Sequence, residues 1–340
     1  MNARYLIGAL ALVVVSLLVW QLRWVLLILF GAVVLAVALD VPITWLRQRF
    51  SLNRPTALVL VLALLLGMGT LLSWVLLPEV IEQVNLLQRI IPALPEQLNK
   101  LVRQVPALQN LEREFLSKAS FERMQPLGEQ LLGFAGGAAN GTLQTLLMAL
   151  LAVLFALDPR SHQRLLTAFT PNFYRPRIQL VMRESREALG GWLAGMTISA
   201  VVVFLTTWAG LVLLKVPLAL LSALVCGLLT FVPTIGPTLG TLLPMGVALL
   251  LVSPGKMVEV LILRLILQQL EAFVLTPFLL SRTVNLLPTV ALISQLSLGV
   301  LLGLPGVLLA LPLVVVLQVL GREVLVRDVM DQWDGKADQA

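Results

Sequence analysis

"FVPTIGPTLG", residues 231–240, lies inside a long apolar stretch and places two prolines and two glycines where a membrane helix needs an unbroken backbone. Proline removes a backbone donor and its ring clashes with the preceding turn. Irregular backbone at membrane depth survives only where it is buried in protein or lines a wet cavity. The stretch therefore reads in two ways. It is a tight turn at the membrane surface joining two ordinary spans, or an element inside the bilayer whose freed N–H and C=O groups are available to a solute.

The surroundings are those of a membrane protein. Of 340 residues, 59% are hydrophobic and 12% charged, and mean hydropathy is +0.95; soluble domains carry about 25% charged residues. Apolar runs of roughly 16 to 25 residues recur, about the length that crosses ~30 Å of hydrocarbon. The fold class is an all-α polytopic membrane protein with about eight to ten membrane segments, counting both arms of broken hairpins. Spans read as Tyr5–Trp20, Trp24–Leu39, Thr56–Leu77, Thr142–Leu157 and Trp192–Leu214. The first is followed by Gln21-Leu22-Arg23-Trp24 with no small-residue cleavage site, and reads as a retained span rather than a signal peptide.

Charge sets the orientation. The net charge is +6 and the pI about 10.1, but no basic stripe with interleaved aromatics appears, so no nucleic-acid partner is expected. The bias matches Lys and Arg in cytoplasmic loops. Arg47, Arg49 and Arg54 follow the second span; Arg160, Arg164, Arg175, Arg177, Arg183 and Arg186 follow the fourth. Both loops are expected in the cytoplasm, with the N- and C-termini cytoplasmic and Pro78 to Asn140 outside. Arg23, in the outside turn, goes against the rule.

The outer segment carries Val80, Val84, Leu87, Ile91, Leu94, Leu98, Leu101, Val105 and Leu108 in alternating steps of four and three, an amphipathic seam. Pro92, Pro95 and Pro106 divide it into helical pieces. Its seven acids and six bases create no strong field.

The second half repeats a pattern. After Trp192–Leu214, Pro217 opens an apolar arm, Pro233-Thr234-Ile235-Gly236-Pro237 breaks it, and a second arm runs past Pro244. After a helix over Met257–Leu280, Pro288 opens another arm, Gly303-Leu304-Pro305-Gly306 breaks it, and a second arm runs past Pro312. Each unit is roughly 60 residues long, and the charge topology makes them an inverted repeat. Repeats with Gly/Pro-interrupted apolar segments point to the binding site of a secondary transporter. Gly191/Gly195, Gly236/Gly240 and Gly299/Gly303 have the four-residue spacing of close helix packing.

One helix carries charge in mid-span. Arg264, Gln268 and Glu271 are spaced four and three apart and share a face. Such charges cost about 2.5 to 3.5 kcal/mol each on insertion scales and usually face a bundle interior or water. They are a pathway candidate; the structural alternative is an Arg264–Glu271 pair bridged by Gln268.

An enzyme is not expected. His162 is the only histidine and sits in an arginine-rich loop, which excludes an H-E-x-x-H zinc site. Gly255-Lys256 lacks the phosphate-loop pattern, and no aspartate lies inside an apolar run. Cys226, the only cysteine, can form no intrachain disulfide and reads as a packing residue. No metal and no cofactor are implied.

The stretch from about Gly190 to Leu320 resembles the autoinducer-2 exporter family of permeases. The resemblance rests on GGWLAG, LKVPLALLSALVCGLLTFVPTIGPTLGTLLP, QQLEAFVLTP and LLPTVALISQLSLGVLLGLPGVLLALP, with DVPITWLRQRF as a looser match in the first half. It implies a multi-span transporter, in some members tied to export of autoinducer-2 and in others described as a sodium/proton antiporter. Two positions depart from the family pattern: Ala272-Phe273 follows Glu271 where a small residue and asparagine are frequent, and Leu287 stands where histidine is frequent.

The sequence thus predicts three spans over 1–77, an extracytoplasmic amphipathic segment over 78–140, a fourth span and basic loop over 141–190, a transport core over 191–321 and a tail over 322–340. The expected function is secondary transport or export of a small polar solute across a bacterial inner membrane. The pathway would be lined by Pro233, Thr234, Gly236, Pro237, Arg264, Gln268, Glu271, Gly303, Pro305 and Gly306. A sodium or potassium/proton antiporter and a non-transporting membrane scaffold are the alternatives. The expected partners are the lipid bilayer and a small polar solute or cation, and the small-residue faces are compatible with a homo-oligomer.

Overall fold

A computed structural model describes residues 3–90, 138–232, 236–275 and 287–324, and every regular element among them is helical. Helix α1 spans Ala3–Gln21 and α2 Arg23–Phe50. A turn was expected between them. Leu22 does depart from helical geometry, at φ −88° and ψ 4°, but its N–H donates to Leu18 C=O and Leu26 N–H to Leu22 C=O, each at 2.9 Å, so helical bonding continues through the junction. Gln-Leu-Arg-Trp contains no turn former, and three of its four residues favour a helix. Arg23 is accommodated locally, its guanidinium 4.4 Å above the Trp20 ring.

Helix α2 continues past Leu39 through Asp40 and Pro42, and ends at the left-handed Ser51. Helix α3 spans Arg54–Ile90 and passes through Pro78, so the helix does not stop where the outer segment was expected to begin. The rest of the amphipathic seam, from Ile91 on, lies outside the described residues. Helix α4 covers Ala138–Leu157 and α5 Pro159–Ala168, with an 89° bend between them. Asp158 makes that corner. Its carboxylate accepts the Ser161 N–H at 3.1 Å, Pro159 opens the helix, and Ser161, through its side chain first and its N–H second, holds the carboxyl below its ordinary value.

A short 3-10 turn at Asn172–Tyr174 leads into α6, Arg175–Leu213. The basic segment was expected as a loop; most of it is helix. Its arginines favour helical backbone, and at 39 residues α6 is about 58 Å long, enough to carry them beyond ~30 Å of hydrocarbon. Helix α7 spans Ala219–Leu229, α8 Gly236–Leu251 and α9 Pro254–Leu270, which is capped by the Ser253 hydroxyl accepting Lys256 N–H at 3.2 Å. The expected helix over Met257–Leu280 keeps α-helical form only to Leu270, then widens into a π-turn at Glu271–Leu275. Helix α10 spans Pro288–Leu320 with an irregular Gly303 inside.

By length and composition α2, α3 and α6 are continuous helices able to cross a membrane, α10 passes the same test but is interrupted at Gly303, and α4 with α5 would add one bent span; α7 and α8 are shorter apolar helices. The chain is a multi-pass helical membrane protein. It divides into two compact units. The first draws on Met1–Val61, Gln144–Gly195 and Leu279–Ala340, the second on Leu62–Leu143 and Met196–Phe278.

In the second unit, α7 and α8 form a hairpin. Gly240 lies against Cys226, whose thiol reaches the Gly240 carbonyl at 3.0 Å, and a Cβ on Gly236 would strike the Leu229 carbonyl. The four-residue glycine spacing thus brings two backbones together. With 11 residues, α7 is about 16 Å long, half of what a crossing requires. Gln83 of α3 supplies a partner for an N–H in the first turn of α7, its Oε1 accepting from Leu221 at 2.8 Å. Leu211, Val216, Leu218, Val247, Ala248 and Val260 form the apolar core beside this hairpin.

The first unit contains a second hairpin. A straight helix would separate Leu298 and Gly306 by about 12 Å, yet a Cβ on Gly306 would strike the Leu298 carbonyl, and one on Gly299 would lie 2.9 Å from Val307. The chain doubles back at Gly303, whose φ of 65° and ψ of −151° belong to a region that only glycine adopts readily.

Candidate functional site

The polar centre of the second unit is Arg264. It lies in α9 with 5% of its surface exposed. Its Nε donates to Thr241 Oγ1 at 3.2 Å, Nη1 to Thr207 Oγ1 at 3.1 Å and Nη2 to the Pro237 carbonyl at 3.4 Å. One guanidinium therefore ties α6, α8 and α9 together at the first turn of α8, where the hairpin ends its reversal. Thr241 also donates to the Pro237 carbonyl, at 2.7 Å. Every partner of the buried cation is a neutral oxygen. Among the described residues no carboxylate reaches it.

Glu271, half-buried in the π-turn, accepts a hydrogen bond from Ser199 Oγ at 3.0 Å. Ser199 and Thr207 both belong to α6, so α6 and α9 run antiparallel and are joined at two levels. The expected shared face is therefore divided: Arg264 is buried, Glu271 is half-buried and Gln268 is exposed. The π-turn begins at Glu271 and changes the helical register there.

Of the other expected pathway residues, Gly236 is buried against α7 and Pro237 contributes its carbonyl to Arg264. Pro233 and Thr234 lie outside the described residues. Gly303, Pro305 and Gly306 belong to the first unit, where Gly303 and Pro305 are exposed and Gly306 is buried in its hairpin.

The first unit has polar centres of its own that the sequence reading passed over. Asp40, 7% exposed, bonds to Arg54 Nη2 at 2.5 Å and Arg186 Nη2 at 2.6 Å. Arg54 Nε also donates to the Ala156 carbonyl at 2.8 Å, so the cluster joins α2, α3, α4 and α6. Glu323 is fully buried and is held by Arg177 and Arg322, each at 3.1 Å; Arg322 reaches on to Glu184 at 3.2 Å. Gln295 in α10 is buried as well. Asp40 had a signal: a carboxylate two residues before Pro42, directly after the apolar run Trp24–Leu39. A span that ends at Leu39 leaves Asp40 outside the membrane helix, whereas α2 runs on through it to Phe50.

Apolar helices of spanning length, short hairpin arms and a buried cation at a hairpin reversal are the features of a multi-pass membrane transporter. The chain belongs to the AI-2E transporter family, which it matches over residues 9–325. YrrI of Bacillus subtilis is 27% identical over 151 residues, a match covering 44% of this chain and 42% of that one. MT0215 of Mycobacterium tuberculosis is 27% identical over 291 residues, covering 83% and 78%, and YhhT of Escherichia coli K12 is 26% identical over 286 residues, covering 83% and 80%. All three bear provisional transport-protein names without a substrate. The chain spans less than half the length of YrrI and about four fifths of the other two.

Proposed function

We propose that the protein is a secondary transporter that exports a small polar solute across the bacterial cytoplasmic membrane, with its solute path beside the first turn of α8. The observation that carries this reading is Arg264, a cation 5% exposed and held by hydroxyls and a carbonyl at the reversal of a hairpin. Charge inside a membrane helix usually marks a path for solutes or ions. The short α7 fits an element that enters the bilayer and returns. The arginines of α5 and the first half of α6 support a cytoplasmic location for those segments. No phosphate-binding loop is present in the sequence, so the driving force is a gradient of the solute or of a coupled ion.

The test is solute-driven swelling of proteoliposomes containing the full chain, followed by light scattering in iso-osmotic ribose, glycerol and potassium lactate. Faster swelling than in protein-free vesicles, reduced in Arg264→Met, supports the reading. Unchanged rates in Glu271→Gln remove Glu271 from the mechanism, whereas flux that follows an imposed pH gradient and is lost in Glu271→Gln favours the antiporter. The scaffold reading prevails if biological function survives changes at Pro237 and Gly306 but is lost on deleting residues 80–118.

A further inference from the structure

Resting on that transport reading, the charge balance around Arg264 specifies the cargo further. A guanidinium stays protonated in proteins and offers five N–H donors. Three are engaged here, by Thr241, Thr207 and Pro237, leaving two without an acceptor among the described residues. Among the described residues its hydrogen-bond partners are two hydroxyls and a carbonyl, none of them charged, while Glu271 accepts from Ser199 about 10 Å further along the same stretch. Buried charges in proteins are ordinarily paired. Lysine or glutamine would have served to tie three helices together, and would have avoided a permanent, planar, two-pronged cation.

A second feature points the same way. Arg264 is directed at the N-terminal turn of the 16-residue α8, where the helix dipole is positive and backbone N–H groups face outward. The guanidinium, the helix end and the Thr207 hydroxyl, whose proton is not spent on Arg264, form the kind of donor set that proteins use for carboxylates and phosphates, and a guanidinium fork matches such oxyanions with two parallel bonds. The same set repels a sodium or potassium ion, which needs oxygen ligands without a fixed positive charge among them.

We propose that the Arg264 site takes a small oxyanion, of the carboxylate class, as transported solute and excludes alkali cations. The anion supplies the missing counter-charge and accepts the two unused N–H groups. Thr207 and Thr241 hold the guanidinium plane so that its free edge faces the solute.

Two measurements on the full chain decide it. First, thermal unfolding of the detergent-purified protein is followed in potassium lactate, potassium chloride and ribose, the two salts at equal ionic strength. Lactate is expected to raise the wild-type midpoint saturably above that in chloride. Arg264→Lys should weaken the apparent affinity two- to tenfold, and Arg264→Met by more than tenfold. If Arg264→Met fails to fold, Thr207→Val with Thr241→Val, which retains the cation but releases its orientation, should weaken lactate at least threefold. A lactate shift that is equal in all variants, or absent in the wild type, overturns the proposal. Second, proteoliposome swelling in potassium lactate with valinomycin is compared with swelling in ribose. Faster swelling in lactate than in ribose supports it. If ribose enters and lactate does not, the transport reading stands and the oxyanion assignment falls; if neither enters, both fall.

Discussion

Arg264 and Glu271 lie two turns apart on the same helical stretch and are each bonded to α6, at Thr207 and Ser199, but not to each other. An opposite-charge couple at mid-span was a natural structural reading of their spacing. The geometry instead gives Arg264 the Thr207 and Thr241 hydroxyls and Glu271 the Ser199 hydroxyl, so the two charges take different hydrogen-bond partners.

That separation has a thermodynamic signature. Residues more than about 7 to 10 Å apart without shared partners contribute additively within ~0.5 kcal/mol. A double-mutant cycle with Arg264→Met and Glu271→Gln, read as unfolding free energy in detergent, is expected to show coupling below about 0.5 kcal/mol. A direct ion pair would give more than about 1 kcal/mol and would contradict the assignment.

Asp40 bridges two arginines in the first unit. Its replacement by asparagine leaves Arg54 and Arg186 without their counter-charge where α2, α3, α4 and α6 meet. The expected loss of stability is about 2 to 4 kcal/mol, somewhat below that for a fully buried pair, because the Arg186 side chain is 42% exposed. Arg186→Gln, for the same reason, should lose no more than about 1 kcal/mol. Tryptophan-fluorescence melting distinguishes the two, and equal losses would refute the ranking.

The hairpin glycines make a sharper contrast. An added methyl at Gly236 or Gly306 meets a backbone carbonyl, which cannot move aside like a flexible side chain. Gly236→Ala and Gly306→Ala should each destabilise by about 1 to 3 kcal/mol. Gly303→Ala meets nothing within 4 Å, yet should lose about 1 to 3 kcal/mol through backbone strain alone. Asparagine, which tolerates the ordinary left-handed region, should not rescue it. Gly246→Ala, in open space within α8, should be neutral or slightly stabilising. A thiol-reactive dye can read the α7–α8 hairpin directly, because Cys226 is the only cysteine and is 2% exposed. Gly236→Ala should bring dye labelling to a lower temperature, and an unchanged onset would show that the hairpin is looser than the contacts indicate.

Much of this was readable residue by residue. The apolar runs announce a membrane helix bundle because ~30 Å of hydrocarbon imposes a minimum length on any span. The prolines and glycines at 217–244 and 288–312 mark interrupted arms because backbone chemistry is local. Arg264 and Glu271 stand out because charge is rare in apolar helices. The same local reasoning missed the junction at Leu22 and the helical course of the basic segment. Both stretches are polar enough to suggest loops, yet carry good helix formers.

By itself, then, the sequence determined the class of protein and the positions at which glycine, proline and charge interrupt its apolar runs. Both depend on near neighbours in the chain and on the thickness of a bilayer. Only the tertiary structure decided which groups answer those charges. Thr207 is 57 residues from Arg264, and Ser199 is 72 residues from Glu271. Asp40 and Arg186 sit on different helices, joined at 2.6 Å. A long side chain takes its partner from whichever helices pack alongside it, and that choice is made in space, not along the chain.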